Sequence, residues 1–366
     1  MTLVDLIAGA RPNFMKIAPI IRALEARALA GGPVRYRLIH TGQHYDTQMS
    51  GAFFTQLGIP EPHVNLGIGS GTQAEQTAAI MVRYEALLLE SRSDLCLVVG
   101  DVTSTMACAI VAQKLHVPVA HVEGGIRSGD WTMPEEINRL VTDAITNWFF
   151  TTSVVANENL RRAGVRDDQV FFVGNTMIDT LLLHRARFTP PEAWESLGLC
   201  AGTYCVLTLH RPANVDDPAT LGALLHAVAD GARDLSVVFP VHPRTMKTVQ
   251  AMPDLPRTLH LIPPQPYFQF NYLVEHAKVV ITDSGGVTEE TTVMGVPCMT
   301  LRSTTERPET VSVGTNELLG TDPASLRPAF DRLFAGEWKA GRIPELWDGQ
   351  TGDRIALQLE RLLARS

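Results

Sequence analysis

Short apolar runs alternating with helix-length stretches constrain this chain more than any other feature. The spacing predicts strands at 3–7, 34–40, 95–99, 119–122, 148–151 and 170–173. Helices are predicted at 13–28 and 72–90, and others fit between most of the remaining strands. A run such as Leu95-Cys96-Leu97-Val98-Val99 is apolar at every position, so a strand made from it must be covered on both faces. Repeated strand–helix alternation of this kind implies a parallel sheet with helices on both sides. The pattern then begins again, with strands at 204–208, 237–241, 259–262, 279–282 and 298–301. Between the two sets, 174–199 is helical and then carries Pro190-Pro191. The expectation is an α/β chain of two doubly wound, Rossmann-like domains, 1–173 and 174–351, with a cleft between them. An amphipathic final helix within 352–366 follows the second domain in sequence and is free to pack back on the first. The 366 residues exceed one typical core and suit two domains of roughly 100–200 residues each.

Composition narrows the function classes. Hydrophobic residues at 45% and charged residues at 19% argue against a largely disordered chain. A formal net charge of −8 argues against a broad nucleic-acid surface, which needs excess Lys and Arg. It leaves room for an anionic small ligand, for which a few cations suffice. The five cysteines, Cys96, Cys108, Cys200, Cys205 and Cys298, show no CxxC spacing and lie mostly in apolar runs. They read as buried thiols in a reducing compartment, with no zinc site expected. No apolar run reaches the ~18–20 residues of a membrane span, and the first residues read as a strand, not a signal peptide. The expected protein is cytoplasmic and meets neither nucleic acid nor membrane.

Unusual polar residues follow the predicted strands, where α/β proteins build their sites. After the first comes Gly9-Ala10-Arg11-Pro12-Asn13, then Lys16. Its helix N-terminus and two cations suit a phosphate or a developing anion, or form an ordinary strand-to-helix turn. Thr41-Gly42-Gln43-His44-Tyr45-Asp46 offers a His and a carboxylate, or a helix cap. Asp101, directly after 95–99, is either a helix N-cap or a base. Glu123 ends a strand beside Gly124-Gly125, and Glu135 opens a helix with Arg139 four residues on. An i,i+4 ion pair accounts for Glu135 and Arg139, but not for Glu123. Asp101, Glu123 and Glu135 together could do general acid–base work.

The second half differs. His210-Arg211 and His242-Pro243-Arg244 follow strands. Asp283-Ser284-Gly285-Gly286 opens a helix after a strand, and its small residues let a pyrophosphate approach backbone N–H groups. Glu290 lies further along, where a carboxylate can accept from both hydroxyls of a ribose. Arg302 to Glu309 adds arginines and carboxylates after the last strand. Cations and a glycine turn thus gather in the second half and carboxylates in the first. That division suits a nucleotide held by one domain and a sugar worked on by the other.

In this order the motifs resemble the non-hydrolysing UDP-N-acetylglucosamine 2-epimerases, which have a GT-B-like fold. The resemblance runs from Gly9 to about Gly320. It includes Gly174-Asn175-Thr176…Asp179 and Thr304-Thr305-Glu306-Arg307-Pro308-Glu309 besides the motifs above. It implies loss of the sugar C2 proton as UDP leaves C1, a glycal intermediate, and re-addition of UDP with a proton returned to the other face. No nicotinamide or metal cofactor is required. By resemblance, Asp101, Glu123 and Glu135 are the acid–base candidates, with His210 a further site residue. Arg11, Lys16, Ser284, Gly285 and Gly286 would meet the diphosphate and Glu290 the ribose. Phe270 would lie near the uracil and Arg307 near the sugar or phosphate. Arg139 and His242 join the substrate-binding set. The resemblance also implies a homodimer.

Departures are visible. Many members carry Glu where this chain has Asn13, and Arg where it has Tyr45 after the Gln-His pair. In the family, the region of Gln43 and His44 binds a second, activating UDP-N-acetylglucosamine. The variant pattern also looks like relatives acting on UDP-2,3-diacetamido-2,3-dideoxyglucuronic acid. That substrate, or a hydrolysing 2-epimerase, is the alternative to UDP-N-acetylglucosamine.

Overall fold

A computed structural model of the chain describes residues 2–42 and 57–364, with Arg11, Pro243 and Arg244 described by backbone alone. Gln43, His44, Tyr45 and Asp46 lie outside the described residues. The strands β1 (Thr2–Ala8), β2 (Val34–His40), β3 (Val64–Asn65), β4 (Leu95–Val99), β5 (Val119–Val122), β6 (Trp148–Thr151) and β7 (Val170–Phe172) form one sheet. All its pairings are parallel, in the order β3-β2-β1-β4-β5-β6-β7. A second parallel sheet contains β8 (Tyr204–Thr208), β9 (Ser236–Pro240), β10 (Leu259–Ile262), β11 (Val279–Thr282), β12 (Cys298–Thr300) and β13 (Asn316–Leu318). Its order is β10-β9-β8-β11-β12-β13. The direction of winding reverses between β1 and β4 in one sheet and between β8 and β11 in the other. At such switch points, the loops beyond the carboxyl ends of the strands hold ligands.

Burial follows the apolar pattern. All of β4 is buried, as its unbroken apolar run requires. In the second sheet, successive residues alternate between two cores. Cys205, Leu207, Val237, Phe239, Val279 and Ile281 pack on one face. Tyr204, Val206, Val238 and Val280 pack on the other. The edge strands β3 and β13 escaped sequence prediction because Val64-Asn65 and Asn316-Glu317-Leu318 are short and carry polar residues in place of an apolar run. Among the described residues, no helix is long and apolar enough to cross a membrane. Four of the five cysteines are buried and all are free thiols; Cys200 is exposed.

The chain divides into two compact units, one of residues 1–183 with 345–366 and the other of 184–344. The expected division after Val173 therefore moves to the end of the next helix, Thr176–His184. That helix is tied into the first unit. Thr180 Oγ1 donates to the Met15 carbonyl at 2.6 Å, and Asp179 Oδ2 accepts from the Gly352 amide at 2.7 Å. The Met15 carbonyl can serve because Pro19, one turn on, has no N–H to offer it. The chain rejoins the first unit at Glu345, earlier than the expected 352. Trp347, fully buried, anchors the return by donating Nε1–H to the Thr152 carbonyl at 3.1 Å. The helix Thr351–Leu363 then buries Ile355, Ala356 and Leu359 and pairs Glu360 with Arg27 of the helix Arg11–Leu29.

Gly174 sits where the return segment passes. Its φ is +104°, and a Cβ there would lie 2.1 Å from the Leu346 carbonyl oxygen. Gly174→Ala combines a backbone clash with a left-handed conformation that side chains disfavour, and is expected to destabilise the first unit by about 3 kcal/mol. A urea titration following tryptophan fluorescence reads this as a lowered midpoint; an unchanged midpoint would refute it.

Candidate active site

At the first switch point, one amide side chain folds the turn after β1 onto the end of β4. Asn13 Oδ1 accepts from the Ala10 amide at 2.9 Å and the Gly9 amide at 3.3 Å, while Nδ2 donates to the Val99 carbonyl at 2.9 Å. The task needs an acceptor and a donor together. An amide has both, whereas an ionised Glu, the residue common here in the family resembled, lacks the donor.

The helix Arg11–Leu29 begins at this turn, with Pro12 in its first turn. One turn in, Lys16 Nζ lies 2.7 Å from Glu123 Oε2 at the end of β5, and both side chains are largely buried. Gly100 makes the space for this pair. Its φ is +68°, and a Cβ there would come within 3.1 Å of Lys16 Nζ. Glu123 itself has a φ of +70°, a left-handed backbone that a non-glycine residue adopts at some cost. Such positions concentrate at functional sites.

Asp101 is held by Arg139, whose Nη2 and Nε donate to Oδ2 at 2.6 and 3.0 Å. The Asp101 carbonyl accepts from Asn138 Nδ2 at 2.8 Å. Arg139 Nη1 donates to Glu136 Oε2 at 2.8 Å. Glu136 also accepts from the Ser128 amide and hydroxyl and from the Gly129 amide. Burial pushes the Glu136 carboxyl up, but the bonds from Ser128, Arg139 and Gly129 outweigh it and hold it below the usual range. The i,i+4 pair expected for Glu135 and Arg139 is therefore replaced by an i,i+3 pair through Glu136. Glu135 is half-buried and makes no hydrogen bond or ion pair among the described residues. Sequence reasoning missed Glu136 because the buried face of the helix Pro134–Ala144 is polar. Glu136, Arg139 and Asp143 recur at helical spacing, a pattern that an apolar template passes over.

Next to these carboxylates, His121 Nδ1 lies 2.7 Å from Asp143 Oδ1 and Nε2 lies 2.8 Å from the Gly100 carbonyl. Asp143 Oδ2 accepts from the Gly125 amide at 3.0 Å and from Arg127 Nη1 at 2.6 Å. Burial raises the Asp143 carboxyl, and the bonds and charges of His121 and Arg127 overcome that and keep it below the usual range.

The second switch point is organised by Asp283, which follows β11 and is fully buried. It accepts from His210 Nδ1 at 2.7 Å, the Arg211 amide at 2.9 Å, Asn214 Nδ2 at 2.9 Å and the His210 amide at 3.1 Å. Burial alone would raise this carboxyl, but its donors hold it below the usual range. With Nδ1 engaged, the half-exposed His210 ring has Nε2 left to meet a ligand. Ser284 occupies the N-cap position of the helix Gly285–Met294 without a side-chain capping bond, and the first two helical residues are Gly285 and Gly286. A Cβ at Gly285 would meet no protein atom within 4 Å, so packing does not explain the glycine. Open space over a helix N-terminus suits an anion.

Glu290, on the same helix, is buried beside Tyr267 and Asn271, with Asn271 Nδ2 3.5 Å from Oε1. Burial pushes its carboxyl up to about 7, against the pull of Tyr267 and Asn271, and Glu289 adds to the rise. Phe270 is half-buried on the helix Tyr267–His276 and packs against the core of that face. Arg307 is buried and paired with Glu289, while Arg302 forks onto Glu306 at 2.5 and 2.7 Å. His242 is exposed after β9. Lys16 thus meets Glu123, Asp101 meets Arg139, and His210 meets the Asp283 turn that leads to Ser284. Glu135, His242 and Phe270 stand apart from these contacts. Among the described residues, no group of three or more His, Cys, Asp or Glu side chains is placed to hold a metal ion.

Two parallel sheets of this winding, with acid–cation pairs at one switch point and a glycine-opened helix at the other, define a GT-B-like protein of nucleotide-sugar chemistry. Residues 27–360 match the family model for UDP-N-acetylglucosamine 2-epimerase. The UDP-N-acetylglucosamine 2-epimerase of Methanocaldococcus jannaschii is 38% identical over 363 residues, covering 96% of this chain and 97% of the relative. The UDP-2,3-diacetamido-2,3-dideoxy-D-glucuronate 2-epimerase of Pseudomonas aeruginosa is also 38% identical, over 319 residues, covering 86% of this chain and 87% of that one. The crystal structure of the M. jannaschii enzyme in complex with UDP-GlcNAc and UDP matches with a TM-score of 0.84 at 37% identity, covering 100% of both chains. The chain belongs to the UDP-N-acetylglucosamine 2-epimerase family.

Proposed function

We propose that this protein epimerises C2 of a UDP-2-acetamido sugar, converting UDP-N-acetylglucosamine to UDP-N-acetylmannosamine. The observation that carries the reading is the set of carboxylates at the first switch point, two of them already seated against cations: Glu123 on Lys16 and Asp101 on Arg139. In the forward step a carboxylate takes the C2 proton. The C–H electrons form the C1=C2 bond, and UDP leaves C1 with its bonding pair. In the return step a UDP oxygen attacks C1 and a second acid protonates C2 from the opposite face. Asp101, Glu123 and Glu135 supply the acid and the base. Arg11, Lys16, His210, Ser284, Gly285 and Gly286 stabilise the diphosphate as charge develops on it. Glu290 takes the ribose hydroxyls and Phe270 the uracil, and Arg139, His242 and Arg307 complete the binding set. The protein works as a cytoplasmic homodimer whose product feeds surface-polysaccharide synthesis.

A proton NMR time course with UDP-N-acetylglucosamine in D2O, without added cofactor, tests this. The expected result is the manno epimer with deuterium at C2. Accumulation of free UDP and free N-acetylmannosamine would replace epimerisation with hydrolysis. The diacetamido uronate is the second reading, supported by the equal identity of the P. aeruginosa relative. Turnover of that sugar nucleotide in place of UDP-N-acetylglucosamine would establish it.

Glu290 adds a pH dependence. An ionised carboxylate accepts from two ribose hydroxyls, whereas a protonated one must give up an acceptor position. Binding therefore favours the ionised form of a group poised at about 7. Affinity for UDP-N-acetylglucosamine, whose diphosphate diester does not titrate near neutrality, is expected to rise as pH passes through that value. Calorimetry should show proton release on binding, and Glu290→Gln should abolish both effects. A pH-independent affinity in the unaltered protein would remove Glu290 from the ribose.

A further inference from the structure

His121 and Asp143 have no part in the chemistry above, yet they touch both turns that carry it. His121 lies on β5, two residues before Glu123, and is fully buried. Its Nε2 faces the Gly100 carbonyl at 2.8 Å, and a carbonyl only accepts, so this nitrogen donates. Its Nδ1 faces the Asp143 carboxylate at 2.7 Å. Asp143 also grips the Gly125 amide, and Asn159 Nδ2 holds the Gly125 carbonyl at 2.9 Å. Both glycines are set by close packing around this turn. A Cβ at Gly124 would lie 2.8 Å from Phe149 Cδ1, with His121 Nδ1 and Asp143 Oδ1 at ordinary contact distance. One at Gly125 would lie 2.4 Å from the Ala156 carbonyl oxygen. Gly100 and Glu123 both have left-handed backbones, with φ of +68° and +70°. The first of these residues precedes Asp101, and the second is a candidate itself. One imidazole therefore joins the two bends that aim Asp101 and Glu123.

We propose that His121, oriented by Asp143, is the positioning residue for both carboxylates, holding the Gly100 carbonyl and the Gly124-Gly125 turn in register. The proposal rests on the epimerase reading of the same site. A group that fixes a base to within a fraction of an ångström acts chiefly on the proton-transfer step, because His210, Ser284 and Glu290, proposed to hold the nucleotide, lie on other elements, at the second sheet's switch point.

The test compares the unaltered protein with His121→Gln, His121→Asn and Asp143→Asn, measuring kcat, KM, the C2-deuterium isotope effect and the melting temperature. The amide of Gln reaches the place of Nε2, and that of Asn the place of Nδ1. Displacement of the carboxylates should lower kcat by about 10²-fold. KM should stay within about threefold, and the isotope effect should rise as proton transfer becomes limiting. His121→Gln, which keeps the donor to Gly100, should retain more activity than His121→Asn. The role is overturned if folded variants keep kcat within about threefold of the unaltered protein. It is equally overturned if the lost rate only tracks lost folded protein, with the isotope effect unchanged. If the unaltered protein exchanges C2 while the variants match it, the positioning role alone falls. If the unaltered protein does not exchange C2 with either sugar nucleotide, the epimerase reading falls and takes the positioning role with it.

Discussion

Glu123→Gln is expected to lower kcat for C2 epimerisation by roughly 10²–10⁴-fold, the range for loss of a positioned acid–base group. The amide keeps the shape of the side chain but can neither take nor return a proton near neutrality. The contacts proposed for the ribose and uracil are untouched, so any change in KM should come through Lys16, which is proposed to hold the diphosphate and loses its partner. A second effect accompanies the first. Lys16 makes its 2.7 Å ion pair with Glu123 in a largely buried setting, so the substitution leaves an ammonium without its counter-ion. Breaking such a pair costs about 3 kcal/mol. At ~2–4 °C per kcal/mol for a unit of this size, melting should fall by roughly 6–12 °C. The two effects separate in a double-mutant cycle. Adding Lys16→Met should recover much of the stability and none of the rate. Recovery of kcat in the double variant, or a single variant with normal kcat, would remove Glu123 from the acid–base chemistry.

Asp283→Ala is the substitution with the largest expected effect on stability. Asp283 is fully buried and accepts from a His ring, two backbone amides and an Asn side chain. Its removal strands several donors at once and should destabilise the second unit by about 3–5 kcal/mol. The folded pKa of Asp283 is held below its unfolded value, so the folded state binds its proton less readily. Its contribution is fully present above the unfolded carboxylate value of ~3.9 and is lost as pH falls through the folded value. Glu290 has the opposite sign. Its folded pKa is raised to about 7, so the folded state holds the proton more tightly, and its contribution falls as pH rises from ~4.3 towards that value. Acid denaturation should therefore be steep in the unaltered protein and shallower in Asp283→Asn below about pH 4. Equal acid sensitivity of the two would show that Asp283 does not carry the linkage.

The strand–helix alternation and the positions of the motifs were legible because both are local. An apolar run such as 95–99 states its own burial, and a strand's carboxyl end delivers the next residue to the same edge as its neighbours in a parallel sheet. Gly9, Gly100, Glu123, His210 and Asp283 could thus be placed at sheet edges before any coordinate was known. The return of the chain at Glu345 was not legible. Trp347 and Asp179 act through partners far away in sequence, and neither sits in an apolar pattern that marks it.

From sequence alone come the two-sheet α/β architecture, the division of carboxylates and cations between the halves, and the loops that carry them. Repeat patterns and strand ends are properties of short stretches of chain. Only the tertiary structure decided which charges meet. Lys16 and Glu123 are 107 residues apart, and Asp101 and Arg139 are 38 apart. Helical phase also chose Glu136 over Glu135 as the partner of Arg139. An ion pair depends on distances of a few ångströms across neighbouring strands and helices. Those distances exist only after the sheets have formed.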